Sequence, residues 1–268
     1  MASSAPALED LLALAIRHVN AGQRERARVL CEQADAVHPS HPAVRQLLAV
    51  LSLQEGDVAQ ARRHAQASLA LRSDHVPTLV VAGDAARAAG AHGEALGHYE
   101  RAHFLQPERP GIALALGAAQ HQCGQWQPAL MTLERVVRLS PQDAEAWFQL
   151  ALVRQDLRDL PGAAEALRRV LRLAPGRAEA EVNLGLVLQD SGRIDEAMHA
   201  YGRAYRLRED CFGRIAHALA AASVGRLWLE LDALRATLRS MPSPQPSPAD
   251  AGEGALAPLA PITGRGLE

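Results

Sequence analysis

The side chains best suited to chemistry in this sequence are eleven histidines, three cysteines and a few adjacent acid pairs. Histidine is both the commonest metal ligand and the group that changes charge near neutral pH. His38 and His41 flank Pro39, while His92, His98 and His103 lie near one another further on. None is read as sharing a helix face with a carboxylate or a cysteine pair, the spacing a metal site needs. The histidines are therefore expected on solvated turns and surfaces, with no metal. Cys31, Cys123 and Cys211 fit neither a zinc motif nor a disulfide framework, because their number is odd and their spacing wide. Reduced structural thiols are the expectation, and with them a cytoplasmic address. Glu9-Asp10 and Asp195-Glu196 suit the first turn of a helix, where negative charge meets the positive end of the dipole. The chain has no phosphate loop, dinucleotide fingerprint, nucleophile elbow or zinc-protease helix. These absences predict a protein that is not an enzyme and uses no cofactors.

The elements that hold these groups are clearest between Pro141 and Pro175. Ala144, Trp147, Leu150, Ala151 and Leu157 recur at helical spacing, and Ala163, Leu167, Val170 and Leu173 do so again before the second proline. Spacings of three and four mark helices with one buried face. Two short helices cannot bury those faces alone, and their neighbours recur at a fixed interval. Pro107, Pro141 and Pro175 are 34 residues apart, and Pro39 lies two such steps before Pro107. Placing Pro39 at position 32 defines six units: 8–41, 42–75, 76–109, 110–143, 144–177 and 178–211. Position 20 is then alanine in every unit (Ala27, Ala61, Ala95, Ala129, Ala163, Ala197). Position 8 is always tiny (Ala15, Ala49, Gly83, Gly117, Ala151, Gly185), and position 30 is always branched and apolar, as in Val37 and Leu71. Small residues recur where two helices cross closely.

This pattern resembles the tetratricopeptide repeat family, whose unit is a 34-residue helix–turn–helix with those small positions and a closing proline. The resemblance covers residues 8–211. It implies an all-α, right-handed α-solenoid of six repeats. Departures fall at position 4, which is Arg45 in the second unit and Glu181 in the sixth, and at position 11, which is never tyrosine. The second unit, with Ser73 in place of the proline as well, is expected to be the least stable. Gly22, Gly56, Gly90, Gly124 and Gly192 sit at position 15, where the first helix must turn. The fifth unit has Leu157-Arg158 there, and Pro161-Gly162 is expected to supply its turn.

Beyond the repeats, helical patterns near 212–224 and 227–240 predict a capping helix pair over 212–240, with Trp228 packing on the last repeat. Residues 1–7 read as a disordered lead. Residues 241–268, with six prolines and no periodicity, read as a disordered tail holding one weak PxxP match at Pro258–Pro261. The acidic start lacks the basic region of a signal peptide, and no apolar run is long enough to cross a membrane. A net charge of −2 and a pI near 6.6 argue against nucleic acid as partner. All 28 basic residues are arginine, which suits GC-rich bacterial coding.

On the first helix of each unit, positions 5 and 9 form a stripe away from the second helix. In the family this stripe lines the concave groove where partners bind. Here it carries Leu12, Ile16, Val50, Val80, Leu114, Phe148, Leu152, Val182 and Leu186, with Gln149 and Asn183 beside it at position 6. Those positions lack the Lys, Asn and Arg set with which some family members grip a terminal carboxylate. The function expected is therefore a scaffold or adaptor holding an apolar or amphipathic partner helix or peptide. Two alternatives stand: a module presenting substrate to a glycosyltransferase-like or other enzyme whose catalytic domain is absent, and a self-assembling scaffold. The single asparagine at position 6, Asn183, weakens the former.

Overall fold

The computed structural model describes residues 7–221 and 231–241, which form α-helices, one 3-10 turn and their connections, with no strand. The lead 1–6, the tail 242–268 with its PxxP match, and Trp228 lie outside the described residues. The first helices of the repeats are α1 (Leu8–Asn20), α3 (Pro42–Gln54), α5 (Val76–Ala88), α7 (Pro110–Gln122), α9 (Ala144–Asp156) and α11 (Ala178–Asp190). The second helices are α2 (Arg24–Val37), α4 (Val58–Leu71), α6 (His92–Leu105), α8 (Trp126–Leu139), α10 (Leu160–Leu173) and α12 (Ile194–Leu207). Every first helix is 13 residues long and every second helix 14, so one local pattern is read out six times. Proline starts α3 and α7, where the missing N–H costs nothing. Asp57, Asp143 and Asp159 cap α4, α9 and α10 by accepting backbone N–H groups.

The chain divides into two compact bodies, 1–175 and 176–268. In the first, each hairpin closes on its own partner, and α2, α4, α6 and α8 also pack on the first helix that follows. First helices touch one another as well, α1 with α3, α3 with α5 and α7 with α9, and so form an inner layer. Alanine at position 20 is fully buried from Ala27 to Ala163. Position 8 faces position 24 of the same repeat, and the two sizes compensate. Gly83 lies under Tyr99 and Gly117 under Leu133, so closely that an added methyl would collide with either side chain. Alanine stands at position 8 opposite the small Cys31 and Ala65 and, once, opposite Leu167. The Ala49–Ala65 pair is the thinnest of these contacts, and it lies in the second repeat.

Positions 3 and 10 also face inward, toward the preceding second helix. Position 10 is Leu51, Ala85, Ala119 and Val153, all with no exposure, and position 3 is Val44, Thr78, Ile112 and Ala146, all buried. In α1 the same positions are the exposed charged residues Asp10 and Arg17. This face of α1 is therefore charged and exposed among the described residues.

The turn of the fifth repeat corrects an expectation. Gly22, Gly56, Gly90, Gly124 and Gly192 have φ between 71° and 82°, and Arg158 takes the same left-handed conformation at φ 63°. Pro161 and Gly162 lie inside the first turn of α10, where Gly162 N–H donates to the Asp159 carboxylate. The hairpin imposes the backbone, and arginine adopts a conformation that costs an L-residue roughly 1–2 kcal/mol.

In the second body, α11 and α12 repeat the hairpin, with Gly185 under Tyr201, and a 3-10 turn at Glu209–Cys211 leads to α13 (Phe212–Ala221). Glu181 is buried at the α11–α12 crossing and forms a bidentate pair with Arg203, at 2.6 and 2.9 Å. In the first body Arg45 likewise pairs with Asp35 at 3.1 Å. Both departures at position 4 are thus charged residues with a charged partner. The last described helix, α14 (Leu231–Ser240), packs on α12 through Leu234 and Leu238. The helical patterns near 212–224 and 227–240 are described as α13 and α14, and residues 222–230 between them lie outside the described residues.

Candidate protein-binding surface

The inner layer of the first body carries the predicted stripe. Positions 4 and 8 of each first helix meet its own second helix, and positions 3, 7 and 10 meet the preceding one. Helical geometry leaves positions 2, 5, 9 and 12 on the remaining face. Leu12, Val50, Val80, Leu114 and Leu152 are half-buried there, and Ile16 is 45% exposed. Val80 and Leu114 pack at the edge of the core clusters beneath them, so part of each side chain serves stacking and part stays open. Gln149, half-buried beside the stripe, donates to Glu145 Oε1 at 2.7 Å.

Three residues of the expected stripe are corrected by their burial. Phe148 is only 8% exposed, so its ring is packing material rather than an open anchor. In the second body, Val182 and Asn183 are 1% and 7% exposed. Val182 lies beside Cys211 and Arg214, and Arg214 Nη2 donates to Asn183 Oδ1 at 3.3 Å. The 3-10 turn and α13 therefore cover this part of α11. Leu186 remains half-buried.

Polar groups interrupt the apolar stripe at fixed points. Asp84, at position 9, accepts the Tyr99 hydroxyl at 2.7 Å and lies 3.6 Å from Arg87. Burial, reinforced by the Asp84 charge, pushes the Tyr99 hydroxyl well above its ordinary range, so it stays a donor. Across the inner layer, His121 Nε2 lies 2.6 Å from Asp156 Oδ2, a tie between α7 and α9. Asn20, Gln54 and Gln122 are exposed near the helix ends, and Gln155 is half-buried.

Burial pushes the Cys31 thiol up to about 11, which makes it a poor nucleophile at neutral pH. The cysteines are free thiols. His98 and Glu94 do share a face of α6, 3.8 Å apart, a pairing the sequence reading missed. Among the described residues no group of three potential metal ligands comes together. No described helix is long and apolar enough to cross a membrane.

The comparisons with known proteins settle the family. Tetratricopeptide repeat models match residues 18–77, 86–153 and 148–213, which together exceed half of the chain. This is a tetratricopeptide repeat protein. Solved structures share its fold. PilF of Pseudomonas aeruginosa aligns with a TM-score of 0.65 at 21% identity, over 75% of this chain and 92% of that one. MamA of Desulfovibrio magneticus RS-1 aligns at 0.58 and 21% identity, over 63% and 96% of the two chains. YrrB, described as a TPR protein with an unusual peptide-binding site, aligns at 0.56 and 22% identity, over 67% and 93%. No curated protein is significantly similar in sequence. In the first body of this tetratricopeptide repeat protein, the inner layer leaves Leu12, Ile16, Val50, Val80, Leu114 and Leu152 half-buried or exposed.

Proposed function

We propose that the protein is a non-enzymatic scaffold that holds an apolar or amphipathic segment of a partner protein along the inner layer of its first body. The observation that carries this reading is the run of Leu12, Ile16, Val50, Val80, Leu114 and Leu152 on five successive inner helices, with none of the six fully buried. Aligned aliphatic groups on a solvated face are a feature of recognition surfaces. Asp84 and Arg87 between them supply a polar mark that fixes the register of a bound segment. The slightly acidic net charge of −2 favours a protein partner over a phosphate backbone. Free thiols, buried at Cys31 and Cys211 and half-buried at Cys123, suit a cytoplasmic setting. A TPR neighbour described by its peptide-binding site supports the same class of activity.

Stacking of copies end to end is disfavoured, since Asp10 and Arg17 occupy the face of α1 that a preceding repeat would have to dehydrate. The test is affinity capture from the native cell with wild-type chain and with Leu114→Glu/Leu152→Glu. Proteins retained by the first and absent from the second support the reading. Equal recovery with both contradicts it.

A further inference from the structure

In the first body, α8 offers its positions 21 and 28, Leu130 and Val137, to the first helix of the next repeat, beside Ala146 and Leu150 of α9. On α12 those positions are Met198 and Tyr205, and the helix lying over them is α14. This seat is built for its occupant. Position 25 is charged or polar in the other repeats (Glu32, Gln66, Glu100, Glu134, Arg168) but is Gly202 here. A methyl on Gly202 would stand 2.8 Å from Met241 Cβ and 3.0 Å from the Leu238 carbonyl. Arg206 donates to the Leu238 and Met241 carbonyls, at 3.3 and 2.8 Å, closing the C-terminal end of the seated helix. Arg235 stacks 4.3 Å over the Phe212 ring, and Arg239 lies over Tyr205 and 3.1 Å from Glu209. The seat thus selects two Leu-Arg dyads one turn apart, Leu234-Arg235 and Leu238-Arg239.

The chain's own helix does not fill the seat. A cavity of about 320 Å³ remains, lined by Ile194, Met198, Leu219 and Met241 together with the polar Asp195, His199 and Thr237. The sequence of α14 also belongs to another setting. Residues 233–242 read ALRATLRSMP and residues 166–175 read ALRRVLRLAP, so α14 has the sequence of a second helix, which elsewhere pairs with its own first helix.

We propose that the face of α12 formed by Met198, Gly202, Tyr205 and Arg206 is a docking site for a partner protein's amphipathic helix. That helix carries two Leu-Arg dyads one turn apart and a bulky apolar residue where α14 has Thr237. The chain's own α14 is a built-in competitor for the site. A larger residue at that point enters the unfilled cavity and gains apolar burial that α14 lacks. Charge complementarity at Glu209 and the two aromatic rings accounts for the arginines.

The probe is a fluorescein-labelled peptide of residues 231–241 carrying Thr237→Leu, titrated by anisotropy into the full chain. It is expected to bind at least 10-fold more tightly than the unsubstituted peptide, and to lose binding on Gly202→Leu. In the full chain, Leu234→Ser/Leu238→Ser loosens α14 and should strengthen peptide binding by at least 10-fold. Should that variant fail to fold, hydrogen exchange in the wild-type chain decides: the amides of α14 must exchange at least 10-fold faster than those of α12. Equal affinity of the two peptides, binding that survives Gly202→Leu, or equal protection of α14 and α12 overturns the proposal. A wild-type chain that is dimeric in light scattering and monomeric as Gly202→Leu places a second copy's α14 in the seat and overturns it too.

Discussion

Gly83→Ala tests the packing rule on which the stack rests. A methyl at Gly83 would lie 2.6 Å from Tyr99 Cε1 and 2.8 Å from Cζ, well inside van der Waals contact. Tyr99 is 1% exposed and its hydroxyl is tied to Asp84 at 2.7 Å, so the ring cannot retreat without loosening that bond. Overpacking of this kind costs roughly 1–3 kcal/mol, and a weakened hydrogen bond adds about 1 kcal/mol. Replacing glycine by alanine inside a helix returns about 1 kcal/mol. The net expectation is a destabilisation of about 1–3 kcal/mol, read as a lower midpoint in urea with circular dichroism. The second half of the cycle supplies the discrimination. In a Tyr99→Ala background the pair becomes Ala–Ala, the combination that Ala49 and Ala65 already form in the second repeat. There Gly83→Ala should be neutral or stabilising by up to about 1 kcal/mol, from helix propensity alone. A coupling energy near zero between the two sites would refute the compensation of positions 8 and 24.

Three further outcomes are expected. Arg158→Gly should be more stable than Arg158→Ala by about 1 kcal/mol, because only glycine relieves the left-handed backbone while both remove the side chain; equal urea midpoints would show that the turn is unstrained. Ala163→Leu should destabilise by roughly 1–3 kcal/mol, since Ala163 has no exposure at its helix crossing, whereas Ala59→Leu on the exposed side of α4 should be near neutral. The Cys31 thiol is held protonated by burial, its pKa raised from 9.0 to about 11, so its share of stability is intact below pH 9 and is lost as pH rises toward 11. The urea midpoint should therefore fall over that window, less so in Cys31→Ala, and at pH 8 half-buried Cys123 should react with a thiol reagent before buried Cys31 and Cys211.

Much of this architecture was legible because a single local pattern is repeated. Position 20 alanine, position 8 glycine or alanine and the 34-residue spacing fix where helices cross, and crossings tolerate little variation. The left-handed turn at Arg158 was hidden because the hairpin, not the residue, sets that backbone. The stripe at positions 5 and 9 was readable as a face but not as an accessible face. Exposure depends on what lies across the helix, and at Val182 and Asn183 the cover comes from Cys211 and Arg214, outside the repeat pattern. Phe148 was misjudged for a related reason. Its size marks it equally as an anchor or as filling, and only its 8% exposure separates the two. The seat on α12 left one sign in the sequence, a glycine at position 25 where the other repeats carry charged or polar groups.

The central claim is that the inner apolar stripe of the first body is the recognition surface, and titration calorimetry tests it most directly. The ligand is the tightest binder selected from a displayed library of random 16-residue peptides on the wild-type chain. Leu152→Glu places a charge among half-buried aliphatic groups, which a bound apolar segment would have to dehydrate unpaired, and so should weaken binding by at least about 2 kcal/mol. Arg172→Glu, exposed on the second helix α10, should leave affinity unchanged. Loss of binding with Arg172→Glu and retention with Leu152→Glu would place the ligand on the outer layer and contradict the account.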